Sequence, residues 1–149
     1  SVNSSITKGR NVIVNLALTN PDIDFIYLDC RVEDDKDLSL AKNIIKYGKV
    51  SKEEMALFYS KSDVVLFPSF MQETFGCVAY ESILCGTPVL CSNIGNLPNI
   101  VVNGKTGYVL DGYNHEVWEE HLHKALQMEI DIDSVNKLHN QLNNSMWVE

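Results

Sequence analysis

Glu73 and Glu81, with seven residues between them in the stretch VVLFPSFMQETFGCVAYESILCGTPVLCSNIG (residues 64–95), are the side chains of this sequence best suited to do chemistry. The stretch reads as strand, loop, helix, strand. Val64 to Phe67 is a short apolar run that Pro68 ends, because proline cannot donate to a sheet ladder. The loop Ser69 to Thr74 carries Glu73. From Phe75 the pattern turns helical, with Val78, Ala79, Ser82 and Ile83 at helical spacing, and Gly86 stands where a left-handed cap stops it. A loop that reverses direction at a helix start brings both carboxylates to one cleft, and open doubly wound sheets bind ligands beyond the carboxyl ends of their strands. The amides around Phe75, Gly76 and Cys77 are then the unpaired donors of a helix N-terminus, with Gly76 permitting close backbone approach. Carboxylates accept from sugar hydroxyls and a helix start receives an anion. The arrangement therefore suits a ligand with both hydroxyls and a phosphate. The plainer alternative leaves Glu81 a solvated helix residue and Glu73 a loop carboxylate.

The elements that must position this turn alternate along the chain. Thr7 is a candidate cap for a helix with Val12, Ile13, Leu16 and Ala17 as its apolar stripe, stopped at Asn20-Pro21. Strands are expected at Phe25 to Leu28, Ile44 to Tyr47, Val64 to Phe67, Val89 to Ser92 and Tyr108 to Leu110, with a helix over Leu38 to Asn43. Ser51 and Glu54 form a capping box for a helix bearing Met55, Phe58 and Tyr59. Asn103 to Gly107 is a strong turn signal. Beyond it, Trp118, Leu122, Ala125 and Leu126 form one apolar helical face, and Val135, Leu138, Leu142 and Met146 another, the last helix being free to pack across to a further domain. Short β-rich runs alternating with helical stripes imply an α/β fold with a parallel sheet and helices on both faces.

At 149 residues the chain suits a single domain, residues 1–149. Its net charge of −8, from 20 acidic and 12 basic residues, argues against a nucleic-acid partner or an anionic membrane surface on this domain. No apolar run approaches the roughly 20 residues of a membrane-spanning helix, and SVNSSITKGR lacks the apolar core of a secretory signal. A cytoplasmic setting is the expectation. Cys30, Cys77, Cys85 and Cys91 form no closely spaced pairs and read as buried free thiols. The acidic run Glu33 to Asp37 reads as a solvated loop, and Asp22-Ile23-Asp24 and Asp131-Ile132-Asp133 as caps and turns. His121 and His123 fall on different helix faces. No metal site is assigned.

Pro68, Ser69, Glu73, Phe75, Gly76, Glu81, Gly86, Pro88 and Val89 resemble the donor-site signature of retaining glycosyltransferases of the two-domain GT-B fold, the large mannosyl- and glucosyltransferase family. The similarity runs from about Lys8 to about Leu126. It implies the C-terminal, donor-binding half of such an enzyme: a Rossmann-like doubly wound parallel sheet, a nucleoside diphosphate sugar as donor substrate with no further cofactor, and an N-terminal acceptor-binding domain as missing partner. Glu73, the catalytic-site carboxylate, would hold the sugar hydroxyls, Glu81 the ribose hydroxyls, and the backbone of Phe75, Gly76 and Cys77 the sugar or phosphate oxygens. Lys8 matches the lysine that precedes the family's first glycine and is the cation nominated for the diphosphate. Tyr47 to Ser51 resembles the nucleobase loop, read by backbone groups near Val50. Two departures stand out. The arginine of the first turn does not appear and the first strand is largely missing, while Asn96 and Asn99 stand where a second glycine and a glutamate are usual. A non-catalytic binding or assembly module of the same fold would tolerate both. A flavodoxin-type phosphate-binding signalling domain would instead require acids and a lysine clustered at strand ends.

Overall fold

The computed structural model describes residues 9–28, 37–70 and 76–146, with the side chains of residues 145 and 146 excluded. Its elements are α1 (Arg10–Thr19), β1 (Phe25–Leu28), a 3-10 turn (Asp37–Leu40), β2 (Ile44–Tyr47), α2 (Lys52–Lys61), β3 (Val65–Phe67), α3 (Cys77–Leu84), β4 (Val89–Ser92), α4 (Leu97–Ile100), β5 (Gly107–Leu110), α5 (His115–Gln127) and α6 (Ile132–Met146). Among the described residues all strand pairing is parallel. β1 pairs with β2, Phe25 opposite Ile44, and β4 lies between β3 and β5, with Val65 and Gly107 both opposite Val89. Among the described residues the two ladders stay separate. β1 and β3 face one another across a cleft of about 200 Å³ that Phe25, Ile26, Val64 and Leu66 help to line. This is where a doubly wound sheet places its first strand.

Alternation along the strands assigns the helices to two faces, since successive side chains point opposite ways. Leu66, Leu90 and Leu110 join Val12, Leu16, Trp118 and Leu122 in one apolar cluster beneath α1 and α5. Val65, Phe67, Val89 and Cys91 join Tyr59, Ala79, Ile83, Leu97 and Leu138 in a second, beneath α2, α3, α4 and α6. Leu16, Ile83, Leu90 and Leu97 are fully enclosed, each side chain contributing about 1.5–3 kcal/mol of hydrophobic stabilisation. Both faces of the sheet are covered. That explains why β3 and β4 are continuous apolar runs rather than alternating ones.

Three expectations need correction. α1 begins at Arg10, after Gly9 as its cap residue, rather than at Thr7, which lies outside the described residues. The helix expected over Leu38 to Asn43 is a single 3-10 turn, because Asn43 turns inward and its side-chain amide donates to the carbonyls of Ala17, Asn20 and Ile23 at 2.8–3.0 Å. Cys77 is exposed and Cys85 half-buried, leaving Cys91 as the enclosed thiol among the described cysteines. Independently of these corrections, α6 packs Leu138, and in part Val135, into the second cluster.

Candidate donor site

The carboxyl ends of the strands carry the loops that matter, and each is held by identifiable contacts. The turn after β2 ends at Ser51, whose hydroxyl accepts from the Glu54 amide at 3.2 Å while the Glu54 carboxylate accepts from the Ser51 amide at 2.7 Å. This reciprocal cap fixes Val50 at the start of α2. The loop after β3 is pinned at its root by Tyr113, whose hydroxyl donates to the Ser69 carbonyl at 2.5 Å. The Tyr113 ring meets Phe70 edge-on at 4.1 Å and lies parallel to Trp118. Trp118 in turn donates its indole N–H to the Gly112 carbonyl at 3.0 Å. Gly9 abuts the same loop from the other side. Its φ is +84°, and a Cβ there would overlap the Pro68 carbonyl, so the turn that follows Lys8 lies directly against the end of β3.

α3 starts at Cys77 with Gly76 as cap residue at φ +66°, and among the described residues no side-chain cap is found at its start. These amides are the donors expected of an anion site. Packing supplies a reason for glycine here, beside the expectation of close ligand approach: a Cβ on Gly76 would run into the Cδ1 of Ile100, with Leu97 just beyond. α4 covers that side of the turn. At its other end α3 closes with the Gly86 amide donating to Ile83 and the Thr87 amide to Ser82, a Schellman arrangement.

Between α2 and α3 lies a groove of about 380 Å³, within the roughly 300–1,000 Å³ of small-molecule sites. Val50, Lys52, Met55 and Tyr59 line one wall, and Glu81, Leu84 and Cys85 the other. Tyr59 is 1% exposed, and its hydroxyl has no hydrogen-bond partner among the described residues. Burial raises its proton affinity, and the neighbouring Glu81 carboxylate raises it further. The two helices are tied beneath the groove: the Thr87 hydroxyl donates to the Tyr59 carbonyl at 2.5 Å, and the Ser82 hydroxyl to the Thr87 carbonyl at 2.9 Å. A larger space of about 470 Å³, lined by Lys105, Asp131, Asp133 and Lys137, adjoins the turn before β5, at the opposite end of the strands.

Of the site residues expected from sequence, the fold brings Val50 and Glu81 to one groove, with Gly76 and Cys77 at the start of the helix that carries Glu81. Glu73, Phe75 and Lys8 lie outside the described residues. Asn99 donates its side-chain amide to the Asn96 side chain at 3.0 Å, so these two substituted positions engage one another. Tyr59, Lys52, Thr87 and Tyr113 were not singled out as site residues. Tyr59 was legible only as an apolar position of α2, and the reach of Tyr113 to Ser69 spans 44 residues, a distance no local pattern signals.

Residues 27–145, well over half of the chain, match the family model for glycosyl transferases group 1, and the chain belongs to that family. It is 38% identical over 87 residues to a D-inositol 3-phosphate glycosyltransferase of Paenarthrobacter aurescens, an alignment covering 58% of this chain and 21% of the relative. The chain thus spans about a fifth of that relative's length. Its fold is similar to the C-terminal domain of a glycosyl transferase group 1 family protein (LpcC) from Francisella tularensis, with a TM-score of 0.72 and 20% identity over 100% of this chain and 85% of that one. It is also similar to Anabaena HepE in complex with UDP-glucose, with a TM-score of 0.65 and 18% identity, covering 94% of this chain and 46% of that one.

Proposed function

We propose that the chain is the donor-binding domain of a retaining glycosyltransferase and that the groove between α2 and α3 holds the nucleoside of a nucleoside diphosphate sugar. The observation that carries this reading is the shared groove itself, which joins Val50 and Glu81, positions 31 residues apart in sequence. Backbone groups at Val50 face the base edge, and the exposed Glu81 carboxylate accepts from the ribose hydroxyls. One helical turn earlier, the first-turn amides of α3 take phosphate oxygens, where the helix dipole favours negative charge. Lys8 assists the diphosphate, since its neighbour Gly9 lies against the loop leaving β3. Glu73, carried on that loop, holds the sugar hydroxyls.

In the reaction, the bond between the anomeric carbon and the diphosphate oxygen breaks while a bond to an acceptor oxygen forms. The acceptor loses its proton and the nucleoside diphosphate leaves. Acceptor groups belong to a second, N-terminal domain, and the setting is cytoplasmic; among the described residues no helix is long and apolar enough to cross a membrane. HepE, a neighbour of similar fold, was solved with UDP-glucose, which supports a nucleotide sugar as donor class. Calorimetric titration with UDP-, GDP- and ADP-sugars tests the proposal. Saturable binding of one of them is expected, and a folded chain that binds none would favour the non-catalytic module.

A further inference from the structure

The Tyr59 hydroxyl, like Ser92 Oγ and His115 Nδ1, is buried without a hydrogen-bond partner among the described residues, and it alone of these three belongs to the wall of the groove that Glu81 lines. Buried hydroxyls normally find a partner, because leaving one unpaired carries the desolvation penalty of the group. Tyr59 is 1% exposed, packs its ring among Ala79, Ile83 and Val89, and leaves its hydroxyl without a partner among the described residues. It does so in the wall of the groove that Glu81 also lines. Backbone ties keep it there, since the Tyr59 carbonyl accepts from both the Thr87 hydroxyl at 2.5 Å and the Ser62 amide at 3.2 Å. Thr87 is joined through Ser82 to the turn of α3 that carries Glu81. The phenol and the carboxylate are thus presented to one another by two helices that cannot slide apart without breaking buried hydrogen bonds.

We infer that Tyr59 is a positioning residue for Glu81: on nucleotide binding its hydroxyl donates to one Glu81 oxygen and orients the carboxylate so that its other lone pairs accept from the two vicinal hydroxyls of the ribose. The inference rests on the donor-site reading above and deepens it. An exposed carboxylate on a helix samples several rotamers, and binding must select one of them. A donor at a fixed point in the groove wall narrows that choice. The raised proton affinity of Tyr59 keeps it a donor throughout the working pH range. In the free protein Glu81 already lies near enough to act on the hydroxyl, but no hydrogen bond of good geometry joins them, so the well-formed bond adds to binding rather than to folding.

That division gives the test its signs. Tyr59→Phe removes the hydroxyl and keeps the ring, and its melting temperature should equal or exceed that of the wild type. A fall of more than about 3 °C would mean that the hydroxyl already has a partner in the free protein, and would overturn the inference. Titration of the full chain with UDP, GDP and ADP then compares wild type, Tyr59→Phe, Glu81→Ala and the double variant. For whichever nucleotide binds, Tyr59→Phe should weaken it about tenfold in the wild-type background and less than twofold in the Glu81→Ala background. An equal loss in both backgrounds would make the hydroxyl a direct ligand contact, and no loss in either would make it a bystander; each refutes the positioning role while leaving the donor site intact. If the folded wild type binds none of the three, the donor-site reading fails and the inference falls with it.

Discussion

Gly76→Ala should be clearly destabilising, for two separable reasons. The first is conformational: at φ +66° a Cβ carries a left-handed penalty of about 1–2 kcal/mol. The second is steric, because the new methyl would occupy the space of Ile100 Cδ1, and overpacking of this kind costs about 1–3 kcal/mol. The two together give a loss of about 2–5 kcal/mol. Ile100 is 2% exposed, and Ile100→Val deletes the colliding atom itself at a cost of about 0.5–1.5 kcal/mol. In the Ile100→Val background Gly76→Ala should therefore cost only its conformational share, leaving a favourable coupling of about 1–3 kcal/mol between the two changes. Urea unfolding of the four proteins, followed by circular dichroism, measures this coupling. Losses that add to within about 0.5 kcal/mol would refute the packing account and return Gly76 to the role of a glycine kept open for a ligand.

Tyr113→Phe should cost about 0.5–1.5 kcal/mol of stability by releasing the Ser69 carbonyl, and should weaken a nucleotide sugar more than the free nucleotide, because that loop continues to Glu73. Titration with both ligands checks it, and equal losses would detach Tyr113 from the sugar end of the site. Burial pushes the Cys91 thiol up to about 12, so in the folded protein iodoacetamide should label exposed Cys77 and leave Cys91 untouched until denaturant is added. Mass spectrometry reads this directly, and comparable labelling of the two without denaturant would contradict the packing of β4. Asp131 caps α6, accepting from the Ser134 hydroxyl and amide, and these hydrogen bonds hold its carboxyl below the usual carboxylate range. A lowered folded-state value means the stabilisation is present at neutral pH and fades as the pH falls through that value. The melting-temperature gap between wild type and Asp131→Ala should accordingly narrow from pH 6 to pH 3, and a constant gap would refute the capping account.

Strand positions were legible to a degree the connecting segments were not. Phe25–Leu28 and Val89–Ser92 lie where the apolar runs place them, because a parallel sheet covered on both faces selects continuous apolar stretches bounded by turn residues, and Ile44–Tyr47 also lies where expected although only Ile44 is buried. The Ser51–Glu54 cap was equally plain, its chemistry being local and reciprocal. Leu38 to Asn43 misled because nothing local reveals that Asn43 will serve three carbonyls of the segment 17–23. The need for glycine at position 76 was legible, but its contact with Ile100 was not, since Ile100 enters only through tertiary packing. In the site, Val50 and Glu81 were legible through the motifs that carry the family resemblance, Val50 in the turn just before α2 and Glu81 midway along α3. Tyr59 was hidden, as its ring satisfies an apolar pattern and its hydroxyl acquires meaning only when α2 and α3 are laid side by side.

The central claim is that Glu81 and Glu73 hold different parts of one donor molecule, and paired titrations of a nucleoside diphosphate and its sugar against wild type, Glu81→Ala and Glu73→Ala test it most directly, with circular dichroism confirming the fold. Glu81→Ala should weaken both ligands by about 1.5–3 kcal/mol, the range for hydrogen bonds to a charged group. Glu73→Ala should leave the nucleotide nearly unchanged and erase only the affinity or selectivity that the sugar adds. Equal losses of both ligands in Glu73→Ala, or no loss in Glu81→Ala, would contradict the assignment.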